Sequence, residues 1–167
     1  MNASTTLHAV HMECKADPAL RRRLWSYAIA AGHVEVSGMG EIDVLGPVIT
    51  LLDNMMMIKQ HGSAGNTHLD IQALADALDT KYRSGADPNR YRFWYHTHLG
   101  EVYFSGQDDF TIRDLSRNMP LLVAGVFNRN GRTHWCVVRD AVIVAEWDFE
   151  IPGPRPSKDE FEEARRT

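Results

Sequence analysis

Apolar positions along the chain repeat in two rhythms, one of period two and one near 3.6 residues, and the alternation between them predicts the order of elements. Thr6–Met12 reads as a short strand. Asp17-Pro18 then opens a helix: an aspartate caps free N–H groups and a proline fits the first helical position. Leu20, Leu24, Tyr27, Ala28 and Ala31 share one face of that helix, and Gly32 is its C-terminal stop. His33–Ile42 reads as extended, with Gly38 and Gly40 as bulge or close-approach points. Val48–Ile58 is a second apolar run read as a strand, and its Met55-Met56-Met57 stretch reads as core filling. His61–Thr67, rich in Gly, Ser and Asn, reads as a loop.

Helical spacing returns over Leu69–Tyr82, carried by Ile71, Leu74, Ala75, Leu78 and Tyr82. After a turn over Ser84–Asn89, Arg92–Thr97 is an aromatic-rich strand and Leu99–Tyr103 a connecting loop. A short helix is expected over Ser105–Ser116. Pro120–Asn128 and His134–Arg139 read as strands joined through the Asn130-Gly131 turn, and Ala141–Trp147 as another strand. From Ile151 the chain carries three prolines and then a charged stretch, Lys158–Arg166, read as a short terminal helix or a loosely attached tail. The mixture predicts an α/β or α+β fold, a mixed sheet flanked by helices, with one domain over residues 1–150 and a tail over 151–167. No internal repeat is visible.

The 167 residues fit one domain of ordinary size. A composition 44% hydrophobic and 24% charged is that of a globular chain. A net charge of -4 gives no electrostatic reason to expect nucleic acid as a partner. The two cysteines, Cys14 and Cys136, form no C-x-x-C pair, and Cys136 reads as a buried strand residue. Met1–Leu7 has no secretory pattern and no apolar run is long enough for a membrane span, so a cytoplasmic setting is expected. The Arg21-Arg22-Arg23 run reads as a solvated helix face.

The chemistry concentrates in Trp94–Asp108. Side chains two apart on a strand point the same way, so His96 and His98 leave one face together and can chelate a divalent ion. Catalytic zinc takes three N or O ligands and keeps one position open for water. Asp108, in the first turn of the following helix, is placed to be the third. Ser105-x-x-Asp108 equally matches a helix capping box, and the two roles are compatible.

The stretch resembles the motif of the JAMM (MPN-plus, or JAB-domain) zinc metalloproteases: His-x-His, a loop, then Ser-x-x-Asp. The string Phe104-Ser105-Gly106-Gln107-Asp108 is close to the prokaryotic form. The family also places a glutamate upstream, heading a Gly-containing strand after the first helix, and Val34-Glu35-Val36-Ser37-Gly38 fits that place. Two features depart from the pattern. The loop between His98 and Ser105 has six residues, one fewer than usual, and Leu99 stands where a proline is common. Counting spacing alone would move the acid to Asp109 and put Gly106 in the serine's place; the intact local string favours Ser105 and Asp108.

The resemblance spans roughly Thr6–Trp147 and implies an MPN/JAB-like domain with cytidine-deaminase-like layering. It implies zinc on His96, His98 and Asp108, Glu35 as general base and Ser105 as oxyanion donor. It further implies a substrate that is a ubiquitin-like protein or its conjugate, cut at an amide bond after the C-terminus of the ubiquitin-like part. Glu41 is the second candidate for the base if no bulge breaks the strand period. Trp94 shares the histidines' face and reads as core; His61, His68 and His134 read as surface residues. The rival is a non-catalytic MPN-like scaffold. A nucleobase deaminase would need H-x-E and P-C-x-x-C, which do not occur, and a two-metal phosphoesterase would need more ligands than one His-x-His cluster supplies.

Overall fold

The computed structural model describes residues 12–58, 60–63, 66–151 and 153–164. The strand expected over Thr6–Met12 lies, but for Met12, outside the described residues; the side chains of His61 and His68 are outside them too. The described chain begins with β1 (Glu13–Ala16) and α1 (Pro18–Ala30). Asp17 caps α1 by accepting from the Ala19 N–H at 2.7 Å, Pro18 fills the first turn, and Gly32, at φ 66°, ends it in the left-handed conformation.

A hairpin of β2 (Ser37–Leu45) and β3 (Val48–Met57) follows. The segment expected as a loop over His61–Thr67 is instead part of a second hairpin, β4 (Gln60–Ser63) with β5 (Asn66–Leu69). Cross-strand pairing satisfies the backbone of these residues, whose small polar side chains carry no strand signal. Then come α2 (Ile71–Arg83), a 3-10 turn at Pro88–Arg90, β6 (Tyr91–His98), α3 (Gly106–Asn118), β7 (Leu121–Asn128), β8 (Arg132–Arg139), β9 (Val142–Glu150) and α4 (Lys158–Ala164).

Seven strands form one mixed sheet in the order β1-β3-β2-β6-β7-β8-β9. The β1–β3 and β6–β7 pairs are parallel and the others antiparallel. The fold is therefore a mixed α+β arrangement with helices on both sheet faces. Leu20, Leu24, Trp25 and Tyr27 of α1 pack on Ile49, Leu51, Phe93, Tyr95, Phe127 and Trp135. Leu74 of α2 and Ile112 and Leu115 of α3 pack on the other face, against Met39, Met56, Trp94, Leu122, Ala124 and Cys136. The methionine run is core filling, with Met56 on one face and Met55 and Met57 against the other cluster.

Gly38 and Gly40 are close-approach points. A Cβ at Gly38 would overlap the Tyr95 hydroxyl, and one at Gly40 would meet the Phe93 ring at 2.8 Å. The register of β2 also shifts at Gly40, against both neighbours. The arginine run is less solvated than its charge suggests. Arg22 pairs with Glu160 of α4 at 2.7 Å and Arg23 with Asp53 of β3 at 2.9 Å, so this face holds the C-terminal helix and the sheet. No helix among the described residues is long and apolar enough to cross a membrane.

Candidate metal centre

The parallel β6–β7 pair is joined by α3, which crosses the sheet face carrying Trp94, His96 and His98. The chain leaves the carboxyl end of β6 at His98, runs through the loop 99–104, and enters α3 at Ser105. Strand end and helix start therefore meet. Ser105 and Asp108 form a complete capping box. The Ser105 N–H and hydroxyl donate to Asp108 Oδ2 at 2.6 and 2.7 Å, and the Asp108 N–H donates to Ser105 Oγ at 3.3 Å. A carboxylate at this position also gains from the helix dipole.

That cap aims Asp108 at both histidines. His96 Nε2 lies 3.1 Å from Asp108 Oδ1, His98 Nε2 lies 3.4 Å from Oδ2, and the two Nε2 atoms are 3.1 Å apart. One ligand atom from each residue lies within 4.8 Å of the other two, so this buried trio could hold a metal ion. Zinc bonds of 2.0–2.1 Å in a tetrahedron imply ligand separations of about 3.3 Å, close to these approaches. His98 Nδ1 contacts the Glu101 carbonyl at 3.2 Å. A carbonyl only accepts, so Nδ1 carries the proton and a neutral His98 turns its Nε2 lone pair toward Asp108. That lone pair and the carboxylate repel unless a proton or a metal ion lies between them.

The electrostatics follow. Burial, the largest influence on His96, holds its pKa below 6.5 against the opposing pull of Asp108. Burial also works against charge on His98, but the hydrogen bond and charge of Asp108, with the charge of Glu35, outweigh it and leave the pKa above 6.5. Partial burial alone would raise Asp108; hydrogen bonds from both histidines, the charge of His96 and the Ser105 hydroxyl outweigh it and hold the carboxyl far below the usual range. Asp108 thus favours charge on His98, while burial disfavours it on His96.

Glu35 belongs to the same corner. Ser37 pairs with His96, and Val36 exchanges hydrogen bonds with Thr97: the Thr97 N–H donates to the Val36 carbonyl and the Val36 N–H to Thr97 Oγ1, both at 2.9 Å. Continued by one residue, this register sets Glu35 opposite His98, on the histidines' face. Glu35 is buried, and its charge is felt at His98. Glu41 is elsewhere. It sits opposite Tyr91, five residues back from His96 and about 16 Å along the strand, and binds Arg90 and Asn54. Its partners Asn54 and Tyr91 lie with Lys81 of α2 on the side of the sheet that carries Trp94 and His96, so distance along the strand keeps Glu41 from the site. Asp109 is exposed and outside the cluster, whereas Asp108 is part of it.

The surroundings include residues that the sequence did not single out. Trp94 is buried and stacks on the His96 ring, centroids 4.5 Å apart and planes at 16°. Its expected core role holds, and it also fixes the plane of His96. Phe104 lies between His96 and His134. His134, expected as a surface residue, is half-buried: it reaches this face through the row His96–Val126–His134 and contacts Asp148 at 2.6 Å. Asn128, at the end of β7, is buried and donates to the Gly100 carbonyl at 2.9 Å. Only the Asn130-Gly131 turn beside it carried a sequence signal. Burial pushes both thiols, Cys14 and Cys136, up to about 12, so neither is a nucleophile at neutral pH.

Compared with family models and with curated proteins, the chain matches none.

Proposed function

We propose that His96, His98 and Asp108 hold one zinc ion and that the protein is a zinc-dependent peptidase or isopeptidase of JAMM type. The single observation that carries this reading is the convergence of His96 Nε2, His98 Nε2 and Asp108 at 3.1–3.4 Å beside a buried glutamate. Zinc so held would supply a bound water with a pKa of about 7 and a Lewis acid for a substrate carbonyl. Glu35, which is not among those ligands, would serve as general base toward that water and as acid toward the leaving amine. Ser105 anchors Asp108 and, by releasing its hydroxyl from Oδ2, can donate to the developing oxyanion.

The ligand set of two histidines and a carboxylate also serves iron(II) oxygenases. A buried carboxylate opposite His98 that is not a ligand is what hydrolysis requires and oxygen chemistry does not. The substrate, by resemblance, is the amide bond that follows the C-terminus of a ubiquitin-like protein, with a cytoplasmic setting. A mixed α+β sheet with helices on both faces is compatible with the MPN/JAB architecture.

A second reading, a non-catalytic scaffold that binds a partner, is favoured by one observation: the Ser105 hydroxyl is engaged with Asp108 and not directed at open space. One comparison separates the two. With a ubiquitin-like fusion as substrate, Glu35→Gln should lose hydrolysis by at least a hundredfold while keeping its zinc. Equal turnover in Glu35→Gln would remove Glu35 from the chemistry, and no turnover in the zinc-loaded wild type would favour the scaffold.

A further inference from the structure

The residues that hold the metal-centre loop come from the β7–β8 turn, and one of them is buried. Asn128 is 2% exposed. In the parallel register it is the direct partner of His98, so the two side chains share a face. Its amide is used at both ends. Nδ2 donates to the Gly100 carbonyl at 2.9 Å, and Oδ1 accepts from the N–H groups of Asn130 and Arg132 at 3.0 and 3.1 Å. The next carbonyl along, Glu101, accepts from His98 Nδ1. A weaker, exposed strut runs in parallel from Arg132 to the Glu101 carboxylate at 2.9 Å. The turn itself rests on α1: Trp25 Nε1 donates to the Arg129 carbonyl at 3.1 Å, and a Cβ at Gly131 would meet the Trp25 ring at 3.0 Å.

We infer that Asn128 is a positioning residue for the metal centre. It fixes the Gly100–Glu101 backbone so that the Glu101 carbonyl faces His98 Nδ1, which leaves the His98 Nε2 lone pair for the ion. The inference rests on the metal-centre reading for its consequence in zinc affinity; its structural half, the His98 tautomer, stands without any metal. A buried asparagine serving only the turn would need its Oδ1 alone. The Nδ2 arm, aimed across the strand end at the shortened loop, is what ties the turn to His98. Outer hydrogen bonds that orient a ligating histidine commonly change metal affinity 10- to 100-fold.

Asn128→Asp is the informative change. It keeps the acceptor for the two turn N–H groups and removes the donor to Gly100. The added negative charge favours a cation, so any loss of affinity comes from the lost donor. Zinc affinity is read by competition with a chromophoric chelator on the full-length protein. The His98 tautomer is read from ring-nitrogen NMR shifts of the zinc-free protein at a pH where the ring is neutral. The expected result is zinc binding weaker by roughly tenfold or more, with His98 losing its preference for the Nδ1–H form. Wild-type affinity with an unchanged tautomer overturns the inference, and so does a lower melting temperature with both readouts unmoved. Should Asn128→Asp not fold, Asn128→Ser, whose shorter arm cannot reach Gly100, takes its place with the same readouts. A wild type that binds no zinc would refute the metal-centre reading, while the tautomer would still decide the role of Asn128.

Discussion

At the scale of single residues, Asp108 does two jobs with one carboxylate. It closes the cap of α3 through Ser105 and faces two imidazoles. Asp108→Asn should therefore cost zinc affinity and also weaken the helix start by about 1 kcal/mol, whereas Asp109→Asn, on an exposed side chain, should leave zinc binding within twofold of wild type. Isothermal titration of both variants with zinc checks this, and it would fail if the two aspartates exchanged effects. The histidines add a pH dependence with a defined sign. His98 holds its proton above the ordinary value of 6.5 because of Asp108 and Glu35, against its burial. That proton must leave for zinc to bind, so affinity should fall as pH falls, starting above 6.5, with protons released on binding. Calorimetry in two buffers of different ionisation enthalpy measures the release, and binding without it would show that His98 is not a ligand. Gly38 shows how little space remains near the site: Gly38→Ala would push against the Tyr95 hydroxyl and the Met56 carbonyl and should cost about 1–3 kcal/mol in denaturant melts.

At the scale of elements, the sequence was most legible where one period ran unbroken. α1, α2, β6 and β7 are close to where the rhythm of apolar residues places them, because caps such as Asp17 and the turn at Asn130-Gly131 mark their limits. The His96-x-His98 pair and the Ser105-x-x-Asp108 box could be read because each depends on local spacing alone. What could not be read depends on register between distant strands. Glu35 comes opposite His98 only by continuing the β2–β6 register, and Glu41 is kept from it by its pairing with Tyr91, far along the strand from His98. The β4–β5 pairing was hidden because small polar residues carry no strand signal. Asn128 had no periodic partner at all; its role lies in one amide spanning two elements. The charged tail was open between helix and loose end, and its first part forms α4, docked by Arg22 on Glu160. The hydrogen bond from Arg22, followed by those from Ser157, holds Glu160 down to about 2. Its folded value is depressed, so the docking contribution is full above the ordinary carboxylate value of 4.5 and is lost as pH falls toward 2. Amide exchange over α4, compared between pH 5 and pH 2, should show protection lost before the sheet opens. Equal protection at both would mean that the ion pair does not hold the helix.

At the scale of the whole molecule, the mixed sheet acts as a frame that brings three separate stretches to one corner. The segment leading into β2 delivers Glu35, β6 the two histidines and the start of α3 the aspartate, and the β7–β8 turn ties down the loop between them. An ion bound there links strand to helix and should stabilise the entire fold. With free zinc at a hundred times its dissociation constant the gain is about 2.7 kcal/mol, which for a domain of this size is a rise in melting temperature of roughly 5–10 °C. A melting temperature unmoved by zinc or by chelator would place the ion elsewhere or nowhere. Elemental analysis of the purified protein beside a His96→Ala/His98→Ala variant decides whether His96, His98 and Asp108 hold zinc. About one zinc per chain is expected in the wild type and none in the variant. A wild type that holds no zinc after exposure to the metal, or one that holds as much as the variant, would contradict it.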